Sequence, residues 1–312
     1  MKIAFLFSGQ GAQYVGMGET LIDNPVGAAI FARANEALGF DITDIMFNGP
    51  EEKLMQTRYT QPAILTLSIA LYEILKANGL AYDVLAGLSL GEYGALYAAN
   101  SFDLETVLPL VHERGKLMET AAAGIDTAMY AIIGAERSTI LNICAQVSGV
   151  VEASNFNCPG QIVISGEKQA VEAAIDLCKD QGIRSIPLKV GGAFHTSLLK
   201  SASEELQKIL DKVTIQEPTC PVLTNVTGGY IATDSDSIRK TLAKQVYSSV
   251  YFEDELHQMI ADGIDTFVEI GPKNTLVSFV KKTSKDVIAY KTDTLAGVEA
   301  VISELKPNLE SE

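Results

Sequence analysis

The pentapeptide Gly87-Leu88-Ser89-Leu90-Gly91 limits what this chain can fold into more than any other feature. It stands between an apolar run at 84–86 that reads as a buried strand and a segment at 89–99 that reads as a helix. A strand that turns at once into a helix brings two backbones close together, which flanking glycines permit. The turn pushes the serine hydroxyl out at the carboxyl end of a sheet. It also leaves the first helical N–H groups, starting with Leu90, without intrahelical acceptors and aimed where an oxyanion would form. Such a turn belongs to a parallel α/β sheet, and the flanking segments supply one. Residues 3–7 read as a buried strand, 62–78 as a long helix with Thr60 as N-cap and Pro62 in its first turn, and 266–270 and 287–290 as further strands. Helices are expected at 196–211, 254–261 and 274–282 and a strand at 221–224, with a polar tail fraying from Lys306.

Residues 126–190 break this rhythm. Strands at 128–133, 150–156, 161–165 and 184–188 alternate with helices at 136–147 and 167–181, and Asn157-Cys158-Pro159-Gly160 forms a turn. The order is βαββαβ, the ferredoxin-like unit, which packs two helices on one face of a four-stranded antiparallel sheet. The expected organisation is therefore a large α/β domain at 1–125 and 191–312 with an inserted ferredoxin-like subdomain at 126–190.

At 312 residues and 47% apolar composition the chain can build its core without metal or disulfide staples. Its formal net charge of −15 argues against nucleic acid or an anionic membrane as partner. The longest apolar stretch, 63–72, is too short to cross a bilayer, and the N-terminus reads as a first strand and turn rather than a signal peptide. The four cysteines form no Cys-x-x-Cys pair and read as reduced and structural, in keeping with the cytoplasm. With three histidines, a metal site is poorly supplied, and none is expected.

A serine nucleophile needs a base. His112 and His257 read as solvated helix residues. His195 follows Gly191-Gly192-Ala193-Phe194 on a turn at the start of a helix and is the candidate base. Spacing marks no acid as a third member, which leaves room for a dyad whose imidazole is oriented by a backbone carbonyl. Arg114 falls on the apolar stripe of the helix after Asp103, beside Val107 and Val111. A guanidinium there must meet an anion, either a buried Asp or Glu or the carboxylate of a substrate. Gly9-Gln10-Gly11 completes neither a dinucleotide fingerprint nor a P-loop. As a sharp loop at the sheet's carboxyl end it suits the supply of a second oxyanion N–H.

Taken together, Phe7-Ser8-Gly9-Gln10-Gly11-Ala12-Gln13, Thr60-Gln61-Pro62-Ala63, Gly87-Leu88-Ser89-Leu90-Gly91-Glu92-Tyr93, Arg114-Gly115, Asn155-Phe156-Asn157, Ala193-Phe194-His195-Thr196, Lys244-Gln245-Val246 and Glu269-Ile270-Gly271-Pro272 resemble the malonyl-CoA:acyl carrier protein transacylase family over about residues 1–300. The resemblance implies an α/β-hydrolase-like parallel-sheet core with an inserted ferredoxin-like subdomain. It implies Ser89 as the acylated nucleophile, His195 as base and then acid, and the Gln245 carbonyl as the group that orients His195. It further implies Gln10 and Leu90 N–H groups as the oxyanion hole, Arg114 as the partner of the malonate carboxylate, and Gln61 as a neighbouring pocket residue. Phe194 stands where related malonyl-selective domains carry phenylalanine and methylmalonyl users carry serine. Malonyl-CoA and acyl carrier protein are the implied partners, with no cofactor and a monomeric enzyme of fatty acid synthesis. A free-standing acyltransferase of a polyketide or polyunsaturated fatty acid synthase shares this chemistry. A serine thioesterase would share the elbow and the histidine but explain neither Arg114 nor the insert, and a carrier-docking scaffold with a decayed site would not retain Ser89, His195 and Arg114.

Three departures from the family pattern stand out: Leu88 in place of a common histidine, Ser8 in place of a common proline, and Lys273 in place of a common glycine. An acidic carrier needs a local basic surface here, for which Lys281, Lys282 and Lys285 are the densest candidates, with Lys189, Lys200 and Lys273 as possible contributors.

Overall fold

The structure, a computed structural model, describes residues 1–188 and 192–309. Its centre is the run Ile3–Phe7 (β1), which has no polar side chain and is buried on both faces, as a middle strand of a parallel sheet must be. Val84–Gly87 (β2) pairs with β1 in parallel, with Phe7 opposite Gly87. Thr127–Ile133 (β3), Val151–Cys158 (β4), Gln161–Glu167 (β5) and Arg184–Pro187 (β6) form a separate antiparallel sheet in the order β4-β5-β3-β6. Leu223–Thr224 (β7) pairs with Gly229–Tyr230 (β8). Thr266–Ile270 (β9) lies parallel on the other side of β1, and Ile288–Lys291 (β10) closes the large sheet, whose order is β10-β9-β1-β2. The register sets Phe7 opposite both Gly87 and Ile270. The loops leaving β1, β2 and β9 therefore gather at one carboxyl edge.

The small sheet has the strand order and βαββαβ sequence of a ferredoxin-like unit, with helices Arg137–Gln146 and Lys168–Asp180 packed on its own apolar cluster. It is tied to the larger part through β4: Phe156 N–H donates to the Val250 carbonyl at 2.8 Å, and Val250 N–H to the Ser154 carbonyl at 2.9 Å. The second expected boundary of the insert, at 190/191, lies outside the described residues.

Several expectations are corrected. The long helix spans Thr57–Ala77 with Gln56 as N-cap, so Thr60 and Pro62 lie inside it. A proline there leaves the Arg58 carbonyl without its i+4 donor, and His112 Nδ1 donates into that carbonyl at 2.7 Å. His112 is accordingly a half-buried ring packed against Phe40 and Tyr59, not a solvated residue. The final helix, Leu295–Leu309, runs through Lys306 and buries Val298, Val301 and Leu305. Helices Pro25–Leu38, Ile42–Phe47, Glu51–Leu54 and Ser235–Gln245 were not foreseen. The segment after His195 is a short 3-10 turn, Ser197–Leu199, before helix Lys200–Leu210. All four cysteines are unpaired, and no helix among the described residues is long and apolar enough to cross a membrane.

Candidate active site

The elbow is built by contact. Helix Gly91–Ala98 starts so close to β1 that a Cβ on Gly91 would lie 2.0 Å from the Phe7 carbonyl oxygen. Only glycine permits that approach, and it forces Ser89 into the left-handed region at φ 53°. The serine hydroxyl then faces a cavity of about 210 Å³ between the two sheets, bordered by Gln10, Gln61, Leu88, Phe194 and His195.

His195, also left-handed at φ 60°, is buried and lies with Nε2 2.7 Å from Ser89 Oγ. Its Nδ1 is 2.8 Å from the Gln245 carbonyl. A carbonyl only accepts, so Nδ1 carries the proton and Nε2 offers its lone pair to the serine hydroxyl. Burial, reinforced by the Arg114 charge, depresses the imidazole pKa to about 4. The ring is therefore neutral at physiological pH, the state a general base requires.

Arg114 is fully buried. Its Nη1 donates to Gln61 Oε1 at 2.7 Å, and its Nη2 to Gln245 Oε1 at 3.0 Å and Ser89 Oγ at 3.2 Å. The guanidinium also sits over the Tyr93 ring, 5.4 Å from its centroid. Among the described residues no carboxylate pairs with it and its Nε has no acceptor, so the sequence alternative of a structural ion pair is not what is seen. The carboxyl group that acts on it is Glu92, linked to it through the Gln245 amide: Gln245 Nε2 donates to Glu92 Oε2 at 2.6 Å.

Gln10 and Leu90 lie on the two loops that meet beside Ser89, and among the described residues neither backbone N–H has an acceptor. The Ser89 N–H is taken, by Asn225 Oδ1 at 2.6 Å. Gln61 connects the loops to the arginine, its Nε2 lying 3.4 Å from Gln10 Oε1. Seven of the eight residues expected at the site, Ser89, His195, Gln10, Gln245, Arg114, Gln61 and Phe194, converge at this one cavity or on the network around it, and Leu90 follows Ser89 as the N-cap of the next helix. Cys158, the other conceivable nucleophile nearby, is buried, and burial raises its thiol pKa to about 11, which removes its reactivity at neutral pH.

The departures have local explanations. Leu88 lines the cavity and adds an apolar wall, not a proton carrier. Ser8 uses an N–H that proline lacks, donating to the Ile270 carbonyl at 3.1 Å, and its hydroxyl donates to buried Glu269 at 3.0 Å. Lys273 adopts φ 65°, a conformation that favours the glycine it replaces.

Sequence reasoning missed a layer beneath the elbow. Glu92, Asn225 and Glu255 are fully buried and linked by hydrogen bonds. Burial raises the Glu92 carboxyl to about 7, against the lowering effect of its hydrogen bonds and of Arg114, and raises Glu255 well above the usual range. A lone acid in the otherwise apolar segment 91–99 was the available signal for Glu92.

An acyl transferase domain profile matches residues 4–311. The chain is 39% identical over 310 residues to a malonyl CoA-acyl carrier protein transacylase of Bacillus subtilis, covering 98% of each chain. It is similar to the solved transacylase of that name from Clostridium perfringens, with a TM-score of 0.95 at 40% identity over 100% of both chains. It also matches a malonyl-transacylase solved in complex with a type II polyketide acyl-carrier protein, with a TM-score of 0.94 at 36% identity, covering 97% of this chain and 99% of that one. The full-length likeness and the serine–histidine–arginine cluster agree: this chain belongs to the acyl transferase domain family, among the malonyl CoA-acyl carrier protein transacylases.

Proposed function

We propose that the protein transfers malonyl from malonyl-CoA to the phosphopantetheine thiol of acyl carrier protein, through a malonyl ester on Ser89, in fatty acid synthesis. The observation that carries this reading is the Arg114 guanidinium: buried, without a carboxylate partner among the described residues, and 3.2 Å from the nucleophile oxygen. A malonyl ester places its free carboxylate one methylene from the ester carbonyl, within reach of a cation at that distance. Burial makes the unpaired charge costly until an anion arrives, and the planar fork grips a carboxylate at two points.

In the first half-reaction Ser89 Oγ attacks the thioester carbonyl as His195 Nε2 takes its proton. The tetrahedral oxyanion rests on the Gln10 and Leu90 N–H groups, each such donor typically lowering the barrier by about 3 kcal/mol. The C–S bond breaks and the CoA sulfur leaves with the proton held by His195. In the second half-reaction the carrier thiol gives its proton to His195 and attacks the malonyl ester, and Ser89 is released with that proton. Nucleophile, proton carrier and oxyanion donors of this reading are all groups of the chain itself, so each step is complete without a cofactor. Nucleophile, base, cation and oxyanion donors all come from one chain, which supports a monomer as the working unit. The unpaired cysteines support the cytoplasm as its setting.

Acyl selectivity tests the reading. The unmodified enzyme should prefer malonyl-CoA over acetyl-CoA by a factor on the order of 10³ or more, because acetyl leaves the cation unpaired. Arg114→Ala should lose malonyl transfer and gain acetyl transfer relative to it. Phe194→Ser should relax discrimination against methylmalonyl-CoA by opening the space an α-methyl needs. Equal acetyl and malonyl rates in the unmodified enzyme would refute the clamp.

A further inference from the structure

Ser89 is held from behind as well as from the cavity. Asn225 follows β7 directly, in a segment laid parallel to β2 by the Leu85–Val222 bridge, so it emerges at the same sheet edge as the elbow. Its carboxamide orientation is fixed by partners that have only one role each. Oδ1 faces the Ser89 N–H, which only donates, at 2.6 Å; Nδ2 faces the Gly87 carbonyl, which only accepts, at 2.8 Å. The amide thus spans the turn from Gly87 to Ser89. Its remaining proton goes to Glu255 Oε1 at 2.6 Å, and its own N–H goes to Glu92 Oε2 at 3.1 Å. Gln245 closes the clamp from the other side, with Nε2 3.0 Å from the Ser89 carbonyl. A serine stays at φ 53° only where its surroundings over-determine it.

We propose that Asn225 is a positioning residue for acyl transfer: it pins the Ser89 N–H and the Gly87 carbonyl, so that Leu90 and not Ser89 presents its N–H to the oxyanion, and Glu255 pins Asn225 in turn. The inference rests on the acyl-transfer reading above. It assigns Asn225 an effect on rate at saturation, since the residue touches neither the cavity nor the acyl group.

The test is single-turnover acylation of Ser89 by malonyl-CoA, followed by intact mass across a range of substrate concentration and pH, with thermal unfolding measured on the same samples. Asn225→Ala should lower the saturating rate on the order of 10²-fold, as small misplacements of a reacting group do. Its half-saturating concentration should stay near that of the unmodified enzyme. Asn225→Asp supplies the pH readout. The groups facing position 225 are Glu255 from helix Phe252–Ala261 and Glu92 from helix Gly91–Ala98, with Arg114 and His195 across Gln245. Buried beside two acids, the new carboxyl has a raised pKa. Charged, it lacks both protons that the carboxamide gives to Gly87 and Glu255; protonated, it regains one donor while its carbonyl oxygen still accepts from the Ser89 N–H. Its acylation rate should therefore rise as pH falls from about 8 to about 5.5, a range in which His195 of the unmodified enzyme remains neutral. A folded Asn225→Ala protein that acylates at the unmodified rate, or differs only in half-saturation, overturns the inference. So does an Asn225→Asp profile parallel to that of the unmodified enzyme, which decides the matter alone if the alanine variant fails to fold. Absence of any malonyl adduct on the unmodified enzyme would instead overturn the acyl-transfer reading itself.

Discussion

Ser89 and His195 are two of only four non-glycine residues with positive φ among the described residues, and they are the pair whose Oγ and Nε2 lie 2.7 Å apart. Their strain is sustained by hydrogen bonds to Asn225 and to and from Gln245. The electrostatics of His195 yield a pH prediction. Its folded pKa is depressed to about 4, chiefly by burial, and protonation removes the lone pair that accepts from Ser89. Activity should therefore be lost as pH falls through that value, and not near the ordinary value of about 6.5. A kcat/KM profile for malonyl-CoA that stays flat from neutral pH to about 5 is the expected outcome; half-inactivation near 6.5 contradicts it. Leu88→His should leave the same single base in control, and a second titrating group in that profile would show that position 88 takes part. Ser89, His195 and Arg114 were legible because each breaks its local pattern: a serine between glycines, a histidine after a glycine pair, a cation on an apolar stripe. Asn225 was not, because an asparagine after a short strand looks like any turn residue, and its role comes from residues far away in sequence.

The helix pair that carries Arg114 and Gln61 shows how elements set the site. Helix Leu104–Ala122 lies against Thr57–Ala77 at Gly115, where an added Cβ would stand 2.8 Å from Arg58 Cα and 2.8 Å from the Thr57 carbonyl oxygen. Backbone atoms cannot give way as a side-chain tip does, so Gly115→Ala must push the helices apart. The cost should be about 1–3 kcal/mol, as for other overpacked contacts. Separating Arg114 from Gln61 should also slow malonyl acylation. Thermal unfolding checks the first effect, and an unchanged melting temperature contradicts the close packing. Most strands were readable because a five-residue apolar run such as Ile3–Phe7 has few alternatives. Helix Ser235–Gln245 escaped because its buried face amounts to Ile238, Leu242, Ala243 and the amide of Gln245 in an otherwise polar segment. The start of Thr57–Ala77 was misplaced because Pro62 signals a first turn in sequence, whereas the His112 imidazole that makes an interior proline tolerable comes from another helix.

The whole molecule carries a net charge of −15, yet the reaction proposed for it requires an acidic carrier to deliver a thiol into the cavity. One wall of that cavity is helix Thr275–Thr283, through Thr275, Leu276 and Phe279, and its last turn exposes Lys281 and Lys282. Lys282 Nζ lies 3.0 Å from Oε1 of Gln161, which also borders the cavity, so this basic end stands at the mouth. Lys200, Lys273 and Lys285 are exposed as well, and Lys189 lies outside the described residues. Charge reversal at 281 and 282 should raise KM for the carrier more than for malonyl-CoA, more so at low salt; equal effects on the two would show that the carrier docks elsewhere. A malonyl ester on Ser89, held for a thiol and withheld from water, can be followed by intact mass. The unmodified enzyme and Ser89→Ala are each mixed with malonyl-CoA, left without acceptor, and then given pantetheinylated carrier. One malonyl adduct is expected on the unmodified enzyme, persistent until the carrier discharges it, and none on Ser89→Ala; an adduct on Ser89→Ala, or one lost to water as fast as to the carrier, would overturn the malonyl-serine route.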